Sequence, residues 1–277
     1  MKRIAVLLTV FNRKDCTEKA LHHLYQNRTI EDVSIDVYLT DDGCTDGTPI
    51  MVRGKYPSVI IVQGDGNLFW NRGMYRAWQE ASKRFDYDYY LWLNDDTYLL
   101  ENSISMILND SNSILDKAII SGATKSALTG DCTYGLHDPK TEELLVPNGK
   151  LQKGTNLNGN IVLVPKYVFH ILGNLDPYYR HAGGDTDYGL RAKEKGIDVL
   201  LSTDYVGYCE LHPSLSVWCN PDYSFIQRWK ALNKPTGMPL KILFYHERKH
   251  YSISTALFHT CTTILHCMIP KLWNSLN

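Results

Sequence analysis

The sequence lacks the cysteine pattern of a disulfide-stabilised or zinc-stabilised protein. Its seven cysteines are an odd number among 277 residues, and no two of them are spaced as Cys-x-x-Cys. Disulfide frameworks and structural zinc sites use paired and closely spaced cysteines. We therefore expect a protein of a reducing compartment, the cytoplasm.

Long hydrophobic runs and a surplus of charge of one sign are also missing. The formal net charge is −1, so the composition does not predict nucleic acid as a partner. No stretch approaches the ~20 apolar residues that a membrane-spanning helix needs. The apolar segment 4–10 follows Met-Lys-Arg, as in a signal peptide, but it is short and polar residues follow at once. A buried first strand explains this segment better.

What the first hundred residues do contain is an alternation of strand and helix patterns. Apolar, β-branched or aromatic runs predict strands at 4–10, 35–39, 59–62 and 89–93. Apolar residues at helical spacing predict helices between these strands, at 15–26, 48–56 and 71–84. Strands separated by helices imply right-handed crossovers and a mostly parallel sheet flanked by helices, which places the chain in the α/β class.

The rest of the chain divides into two further parts at residues 101–222 and 223–277. The first contains predicted strands at 118–122, 161–164, 197–201 and 206–211, and predicted helices at 165–172 and 184–195. Between them, residues 124–158 are rich in glycine, threonine, asparagine and lysine, which indicates hairpins or loops. The second part has a helical pattern and reads as an appended extension.

Polar clusters follow three of the predicted strands, at residues 9–13, 41–48 and 94–97. Ligands of parallel α/β sheets bind beyond the carboxyl ends of the strands, so these clusters are the candidate site. The cluster at 94–96 reads Asn94-Asp95-Asp96, and adjacent carboxylates suit Mg²⁺ or Mn²⁺ bound together with substrate phosphates. The alternative is a solvated turn in which Asp96 or Thr97 caps a helix.

Two more acidic segments allow a functional and a structural interpretation. The loop 41–48 carries acids that can bind a base or ribose, although an Asp/Gly-rich loop is also an ordinary turn. In Gly183-Gly184-Asp185-Thr186-Asp187, a carboxylate could be a general base for a hydroxyl. The same acids could instead cap a helix, with Arg191 pairing Asp187 four residues on.

Taken together, these segments resemble the family 2 glycosyltransferases of the GT-A fold over residues 1–215. The matching segments are Thr9-Val10-Phe11-Asn12-Arg13, the loop 41–48, Asn94-Asp95-Asp96, Gly184-Asp185-Thr186-Asp187 with Arg191, and His212. Gly66-Asn67-Leu68 and Asn71-Arg72-Gly73 resemble the family's Gly-Asn-rich loop before a helix. The likeness is to the bacterial branch that builds capsule, O-antigen or other cell-surface polysaccharides.

The resemblance implies a role for each matched residue. Asp185 would be the catalytic base, and Asp96 with His212 would bind Mn²⁺ or Mg²⁺. The residues implied in substrate binding are Thr9, Phe11, Asn12, Arg13, Asp41, Asp42, Asn67, Arg72, Asn94, Asp95, Asp187 and Arg191. The chain departs from the family's pattern at Asn94, where many relatives have Asp, and at Gly184, where Glu is usual.

The resemblance also implies a reaction, an inverting and metal-dependent transfer of a sugar from a nucleotide-sugar donor to an acceptor hydroxyl. Residues 1–100 would bind the donor, and residues 101–222 would bind a saccharide or lipid-linked saccharide acceptor. Two other functions stay open, a non-catalytic nucleotide-sugar-binding protein and a sugar nucleotidyltransferase. The second would need a glycine-rich phosphate loop after the first strand, where this chain has Thr-Val-Phe-Asn-Arg-Lys.

The C-terminal part carries its own hypothesis. Apolar residues recur at helical spacing over 253–268, and basic residues precede them at 241–250. Such a helix can lie in a membrane surface, or it can pack against the catalytic part or a second subunit. The first possibility would place this cytoplasmic protein at the inner face of the plasma membrane.

Overall fold

The computed structural model describes residues 1–211 and 215–271. Its strands are β1 (Lys2–Val10), β2 (Val33–Asp41), β3 (Ile60–Gln63), β4 (Tyr89–Leu93), β5 (Tyr98–Leu99), β6 (Ile119–Lys125), β7 (Cys132–Tyr134), β8 (Gln152–Lys153), β9 (Ile161–Pro165) and β10 (Val199–Tyr208). Its α-helices are α1 (Lys14–Gln26), α2 (Thr48–Lys55), α3 (Phe69–Arg84), α4 (Ser103–Ser113), α5 (Lys166–Leu172), α6 (Gly184–Glu194), α7 (Phe225–Leu232), α8 (Leu240–His250) and α9 (Ile253–Met268).

The strands form a single sheet in the order β3-β2-β1-β4-β9-β6-β10-β5, with β7 beside β6 and β8 beside β10. The first four strands are parallel, as the alternation of strands and helices predicts. Beyond them the sheet is mixed, because β9 runs antiparallel to both β4 and β6. Residues 126–160, which connect β6 to β9, contain no helix that could make a parallel crossover. The prediction of a mostly parallel sheet therefore describes the first half of the fold.

Strand β1 shows why the sheet lies at the centre of the fold. Its side chains alternate between two hydrophobic clusters, with Ile4, Val6 and Leu8 in one and Ala5 and Leu7 in the other. Residues of α1, α2 and α4 complete the first cluster, and residues of α3, α5 and α6 complete the second. A strand covered by helices on both faces is continuously apolar, as β1 is. The α/β prediction is confirmed.

The two strands predicted at 197–201 and 206–211 are one continuous strand, β10. Its pairing with β6 shifts register between Leu201 and Tyr205 and again between Tyr205 and Gly207. Such irregularities interrupt the alternation of apolar and polar side chains along a strand, so the sequence pattern reads as two short strands. The strand ends at Tyr208, three residues before the end that the sequence predicts.

In residues 223–271, the described part of the C-terminal extension, there are three helices, α7, α8 and α9. Helix α7 begins with a capping box of Ser224 and Gln227, and the buried Arg228 donates to the carbonyl oxygen of Cys267 near the end of α9. All seven cysteines of the chain are free thiols, and Cys261 on α9 is exposed to solvent. Within residues 1–211 and 215–271, no helix is long and apolar enough to cross a membrane.

Candidate functional site

A cleft of about 550 Å³ opens where β1, β2 and β4 end. The lining residues that the sequence predicts for the site are Thr9, Phe11, Arg13, Asp42, Asn94, Asp95 and Asp96. They come together because parallel neighbours β2, β1 and β4 present their carboxyl ends at one edge of the sheet. The three polar clusters that are far apart in the sequence therefore share one cavity.

The loops after β1 and β2 hold each other in place. Asp41 Oδ1 accepts a hydrogen bond of 2.8 Å from the backbone N–H of Cys44, and Asn12 Oδ1 accepts one of 2.7 Å from the N–H of Thr45. Gly43 has φ +83°, and a Cβ there would lie 3.0 Å from the Cα of Gly66. Asn12 and Asp41 thus shape the loops beside the cleft, without being among its lining residues.

The carboxylate of Asp42 organises the segment that leads into α3. Its two oxygens accept hydrogen bonds from the backbone N–H groups of Gly66, Leu68 and Phe69, at distances of 2.9 to 3.1 Å. The donors of Leu68 and Phe69 lie at the start of α3, where a negative charge is favourable. Asp42 is 3% exposed, so it forms part of the cleft wall while its oxygens are largely occupied by the protein.

Arg13 bridges the two carboxylates that follow β4. Its Nη1 lies 3.0 Å from Asp95 Oδ1, and its Nη2 lies 2.9 Å from Asp96 Oδ2. Burial raises the pKa of Asp95 to about 7, because the effect of Arg13, which lowers it, does not offset the loss of solvation. One guanidinium and two carboxylates therefore lie at the cleft, a set of groups that can bind both a cation and a diphosphate.

Asn94 has a structural role that explains why an amide stands there. Its Oδ1 accepts a 2.6 Å hydrogen bond from Trp70 Nε1, and its Nδ2 donates one of 2.6 Å to Asn160 Oδ1. An amide can accept and donate at the same time, which an ionised carboxylate cannot. Asn94 thereby fixes Trp70 and Asn160, which both line the cleft.

Asp185 lies in the first turn of α6, next to the cleft wall. Its Oδ2 accepts a 3.1 Å hydrogen bond from the N–H of Gly159, and its Oδ1 accepts one of 2.9 Å from the N–H of Thr186. The neighbours of Gly159, Asn158 and Asn160, line the cleft. Burial raises the pKa of Asp185 above its ordinary value, although these backbone donors act in the opposite direction. A raised pKa makes a carboxylate a stronger base.

Asp187 is two residues further on and has a different environment. It is fully buried; its Oδ2 lies 2.9 Å from Arg191 Nε, and its Oδ1 lies 2.6 Å from Lys249 Nζ and 2.9 Å from His250 Nε2. Burial acts to raise the pKa of Asp187, but these partners, Lys249 foremost, lower it below the ordinary value. The structure does not bring Asp187 and Arg191 to the cleft. It makes them the anchor between α6 and α8.

Asn67 and Arg72 also lie outside the cleft lining. Arg180 donates to the side chain and to the backbone carbonyl of Asn67, and Arg72 Nε donates a 2.8 Å hydrogen bond to the carbonyl oxygen of Pro177. Between them Asn71 Nδ2 donates to two more carbonyl oxygens of the segment 176–179. These residues tie the start of α3 to the segment that precedes α6.

The predicted metal ligands are Asp96 and His212, and His212 lies outside the described residues. Within residues 1–211 and 215–271, no group of three or more His, Cys, Asp and Glu side chains could hold a metal ion. Mg²⁺ is commonly bound by one or two carboxylates together with substrate phosphates and water. Asp95 and Asp96 provide such a pair, so the donor set fits a hard divalent cation bound together with a diphosphate.

A second cavity of about 310 Å³ adjoins the cleft on the side of α6 and α8. Two chain segments contribute to both, since His181 and Thr236 line the cleft while their successors Ala182 and Gly237 line the second cavity. Its other walls are predominantly apolar: Tyr179, Gly183, Thr186, Met238, Pro239, Ile242, Leu243, His246 and Glu247. Thr236 shows that the C-terminal extension forms part of the cleft, which no sequence motif indicated.

The fold and a family match indicate which class of proteins the chain resembles. The chain has the GT-A fold, and residues 5–138 match the family model described as glycosyl transferase family 2. Asp185 lies beyond the matched segment. A search of curated proteins returned no match to the chain.

Several solved structures share the fold at low sequence identity. S. aureus TarS 1-349 in complex with UDP-GlcNAc aligns with a TM-score of 0.60 and 11% identity over 98% of this chain and 72% of that one. The mannosyltransferase PcManGT from Pyrobaculum calidifontis, in complex with GDP-Man and Mn²⁺, gives 0.54 and 15% over 94% and 73%. A longer S. aureus TarS structure gives 0.58 and 13% over 91% of this chain but 44% of its own length.

Proposed function

We propose that the chain transfers a sugar from a nucleotide-sugar donor to an acceptor hydroxyl with inversion at the anomeric carbon. The observation that carries the proposal is the convergence of Arg13, Asp42, Asp95 and Asp96 on one cleft, with Asp185 held at its edge through Gly159. The solved relatives that bind UDP-GlcNAc and GDP-Man support a nucleotide sugar as the donor.

At the donor end, Thr9, Phe11 and Arg13 would contact the nucleotide, and Asp95 and Asp96 would hold Mn²⁺ or Mg²⁺, with His212 as a further candidate ligand. The cation, when bound, supplies a Lewis acid that stabilises negative charge on the departing nucleoside diphosphate. Arg13 lies between the same two carboxylates and adds a fixed positive charge beside the diphosphate.

At the acceptor end, Asp185 accepts the proton of the attacking hydroxyl. Its raised pKa favours this role, since a more basic carboxylate takes a proton more readily. A retaining double displacement needs a second carboxylate as nucleophile. Asp187 does not supply it, because Arg191, Lys249 and His250 already surround its oxygens. One available carboxylate is what a single inverting displacement requires.

The acceptor occupies the second cavity, between the first turn of α6 and α8. This cavity is lined by Gly183 and Thr186 at the start of α6, and mainly by apolar side chains such as Met238, Ile242 and Leu243. It suits the apolar face of a saccharide or the lipid-proximal part of a lipid-linked saccharide. We assign the reaction to cell-surface polysaccharide synthesis, of the capsule or O-antigen kind, on the resemblance to that bacterial branch.

The C-terminal extension gives such an enzyme a surface for a further partner. Helix α9 exposes large apolar side chains, including Leu257 and Phe258, and either a membrane surface or a second copy of the chain can cover them. A membrane partner places the cytoplasmic enzyme at the inner face of the plasma membrane, where lipid-linked acceptors lie.

Donor hydrolysis tests the assignment directly. A panel of nucleotide sugars, UDP-GlcNAc and GDP-Man among them, is incubated with the chain and Mn²⁺, and release of the nucleoside diphosphate is measured. Slow hydrolysis of one donor, suppressed by chelation of the metal, is the expected result. Tight donor binding without any hydrolysis or transfer would instead identify a non-catalytic nucleotide-sugar-binding protein.

Calorimetry tests whether the affinity for the nucleotide depends on a metal that Asp96 binds. In Asp96→Ala, the affinity for nucleoside diphosphate in the presence of Mn²⁺ falls to the value measured with a chelator, because one metal ligand is lost. Asp198→Ala is the matched control, since Asp198 is an exposed acid that pairs with Lys153 and does not line the cleft. Unchanged Mn²⁺-dependent affinity in Asp96→Ala overturns the metal assignment.

A further inference from the structure

Helix α9 exposes its apolar side to solvent. None of its 16 residues is Asp, Glu, Lys or Arg. Its exposed large side chains are Ile253, Leu257, Phe258, Leu265 and Met268, which are 47% to 65% exposed. At 100° per residue they fall on one arc of about 140°. The buried residues Ala256 and Cys267 lie outside this arc.

This arrangement reverses the usual amphipathic pattern, in which the apolar face is covered and the polar face meets water. An exposed apolar stripe of this kind marks a surface that a partner covers. The helix is about 24 Å long at 1.5 Å per residue, so the stripe is large enough for such a contact.

The charge of the chain is divided unevenly along the sequence. Residues 223–277 contain seven Lys and Arg and one Glu, whereas residues 1–222 contain 22 Lys and Arg and 29 Asp and Glu. The extension therefore carries a net charge of +6, and the rest of the chain −7. The exposed basic side chains of the extension include Lys230, Lys234, Lys241, Arg248 and Lys271.

We propose that α9 lies in the surface of a lipid bilayer that contains anionic lipids. An apolar stripe alone does not choose between a bilayer and a second copy of the chain. The charge does, because a symmetric contact through α9 would bring together the exposed basic side chains of two extensions, Lys230, Lys234, Lys241, Arg248 and Lys271 in each. An anionic bilayer instead attracts these basic side chains and can bury the apolar side chains of α9. The inference adds a partner to the proposed transfer reaction and does not depend on that reaction.

The apolar stripe and the basic residues are each weak membrane anchors, but together they are sufficient for such binding. A single apolar anchor gives only marginal association with membranes, and nearby basic residues strengthen it through the negative surface potential. Each Lys or Arg near the surface contributes about a fivefold factor in partitioning. The basic residues of the extension should therefore matter only on anionic vesicles, and the apolar stripe should matter on both kinds.

Co-sedimentation of the full chain with vesicles tests the proposal. Two vesicle types are compared, pure phosphatidylcholine and phosphatidylcholine mixed with phosphatidylglycerol. We expect stronger binding to the mixed vesicles and a loss of at least ~10-fold for Leu257→Ser with Phe258→Ser. Ile50→Ser with Leu128→Ser is the matched control, because both residues are highly exposed apolar side chains outside the extension. This control should bind as the unmodified chain does.

A second variant isolates the charge. Lys230→Gln with Lys234→Gln and Lys241→Gln should lower binding to the mixed vesicles by at least ~10-fold and leave binding to phosphatidylcholine unchanged. The three side chains are exposed, so circular dichroism should report the same thermal unfolding as for the unmodified chain. Equal binding of the chain to both vesicle types overturns the proposal.

Light scattering on a size-exclusion column identifies the competing occupant. A dimer that Leu257→Ser with Phe258→Ser converts to a monomer, together with no vesicle binding, would assign the stripe to a second copy and overturn the membrane proposal. Donor hydrolysis is measured in the same variants without vesicles. It should be unchanged, so failure of the membrane proposal and failure of the proposed reaction are told apart.

Discussion

The two sides of helix α6 carry carboxylates of the same chemistry and opposite surroundings. Asp185 accepts hydrogen bonds from two backbone N–H groups beside the cleft, whereas Asp187 is enclosed by Arg191, Lys249 and His250. Residues two apart on a helix point about 200° away from each other. An Asp-x-Asp sequence on a helix therefore does not describe a pair, and each acid takes its properties from the element that it faces.

The comparison predicts that Asp185→Asn affects the rate and leaves the anchor intact. We expect kcat to fall by ~10²-fold or more, with donor affinity and thermal stability close to those of the unmodified chain. Steady-state kinetics and donor calorimetry measure the two effects. Asp198→Asn, at an exposed acid that pairs with Lys153, is the control. Near-normal turnover in Asp185→Asn would remove the base assignment.

The anchor side of α6 predicts the reverse for Lys249→Met. Lys249 lies 2.6 Å from the buried Asp187 and 2.8 Å from Asp176, so its loss leaves a buried carboxylate with fewer cations. The free energy of unfolding should fall by about 2 kcal/mol, below the ~3–5 kcal/mol of an isolated buried pair because Arg191 remains. Chemical denaturation measures the change, with Lys230→Met as the exposed control. An unchanged midpoint would show that the cluster does not hold α8.

The junction between the two sides is tested by Gly184→Ala. A Cβ at Gly184 would lie 1.8 Å from Asn71 Oδ1, whose side chain ties α3 to the segment before α6. We expect destabilisation of about 1–2 kcal/mol and a lower kcat, because the first turn of α6 must shift. The control is Gly54→Ala in α2, where no atom lies within 4 Å of the added Cβ. Equal stability of the two variants would contradict the close packing.

The smallest effect is on the pH dependence of the rate. A general base works in its deprotonated form, and burial raises the pKa of Asp185. The ratio kcat/KM should therefore fall tenfold per pH unit below that pKa, and the break should lie at higher pH than for an ordinary Asp. Rate profiles from pH 4 to pH 9 with a saturating metal test this. A flat profile down to about pH 4 would contradict it.

Stability should respond to acid on the other side of α6. The pKa of Asp187 is lowered, so the carboxylate stabilises the fold above its pKa in the unfolded chain. That contribution is lost as the pH falls through the lower pKa of the folded state. Denaturation of the unmodified chain and of Asp187→Asn should therefore converge at low pH.

Much of the first half of the fold could be predicted from the sequence. The apolar run at β4 has the same bounds in the sequence and in the structure, because Asp88 and Asn94 delimit five buried residues. Parallel β/α repeats then dictate that the polar clusters after β1, β2 and β4 meet. The mixed second half was less accessible, since the pairing of β9 with β4 and β6 depends on long-range contacts that no local pattern encodes.

The candidate site divides in the same way. Arg13, Asp95 and Asp96 follow strands, so their place at the cleft was predictable. Trp70 and Asn160 line the cleft and are held there by hydrogen bonds to Asn94, and Thr236 lines it from the extension. No periodic pattern in the sequence predicts these three positions. Helical spacing alone separates the roles of Asp185 and Asp187, but the partners of Asp187 on α8 are more than sixty residues away.

The exposed thiol of Cys261 allows α9 to be labelled in the chain without a substitution. It lies on α9 between Leu257 and Leu265, while Cys209, Cys219 and Cys267 are buried and Cys16, Cys44 and Cys132 are partly covered. A polarity-sensitive fluorophore attached there would report the surroundings of the stripe without a change of sequence. Its emission in buffer and beside vesicles would follow the environment of α9 in real time.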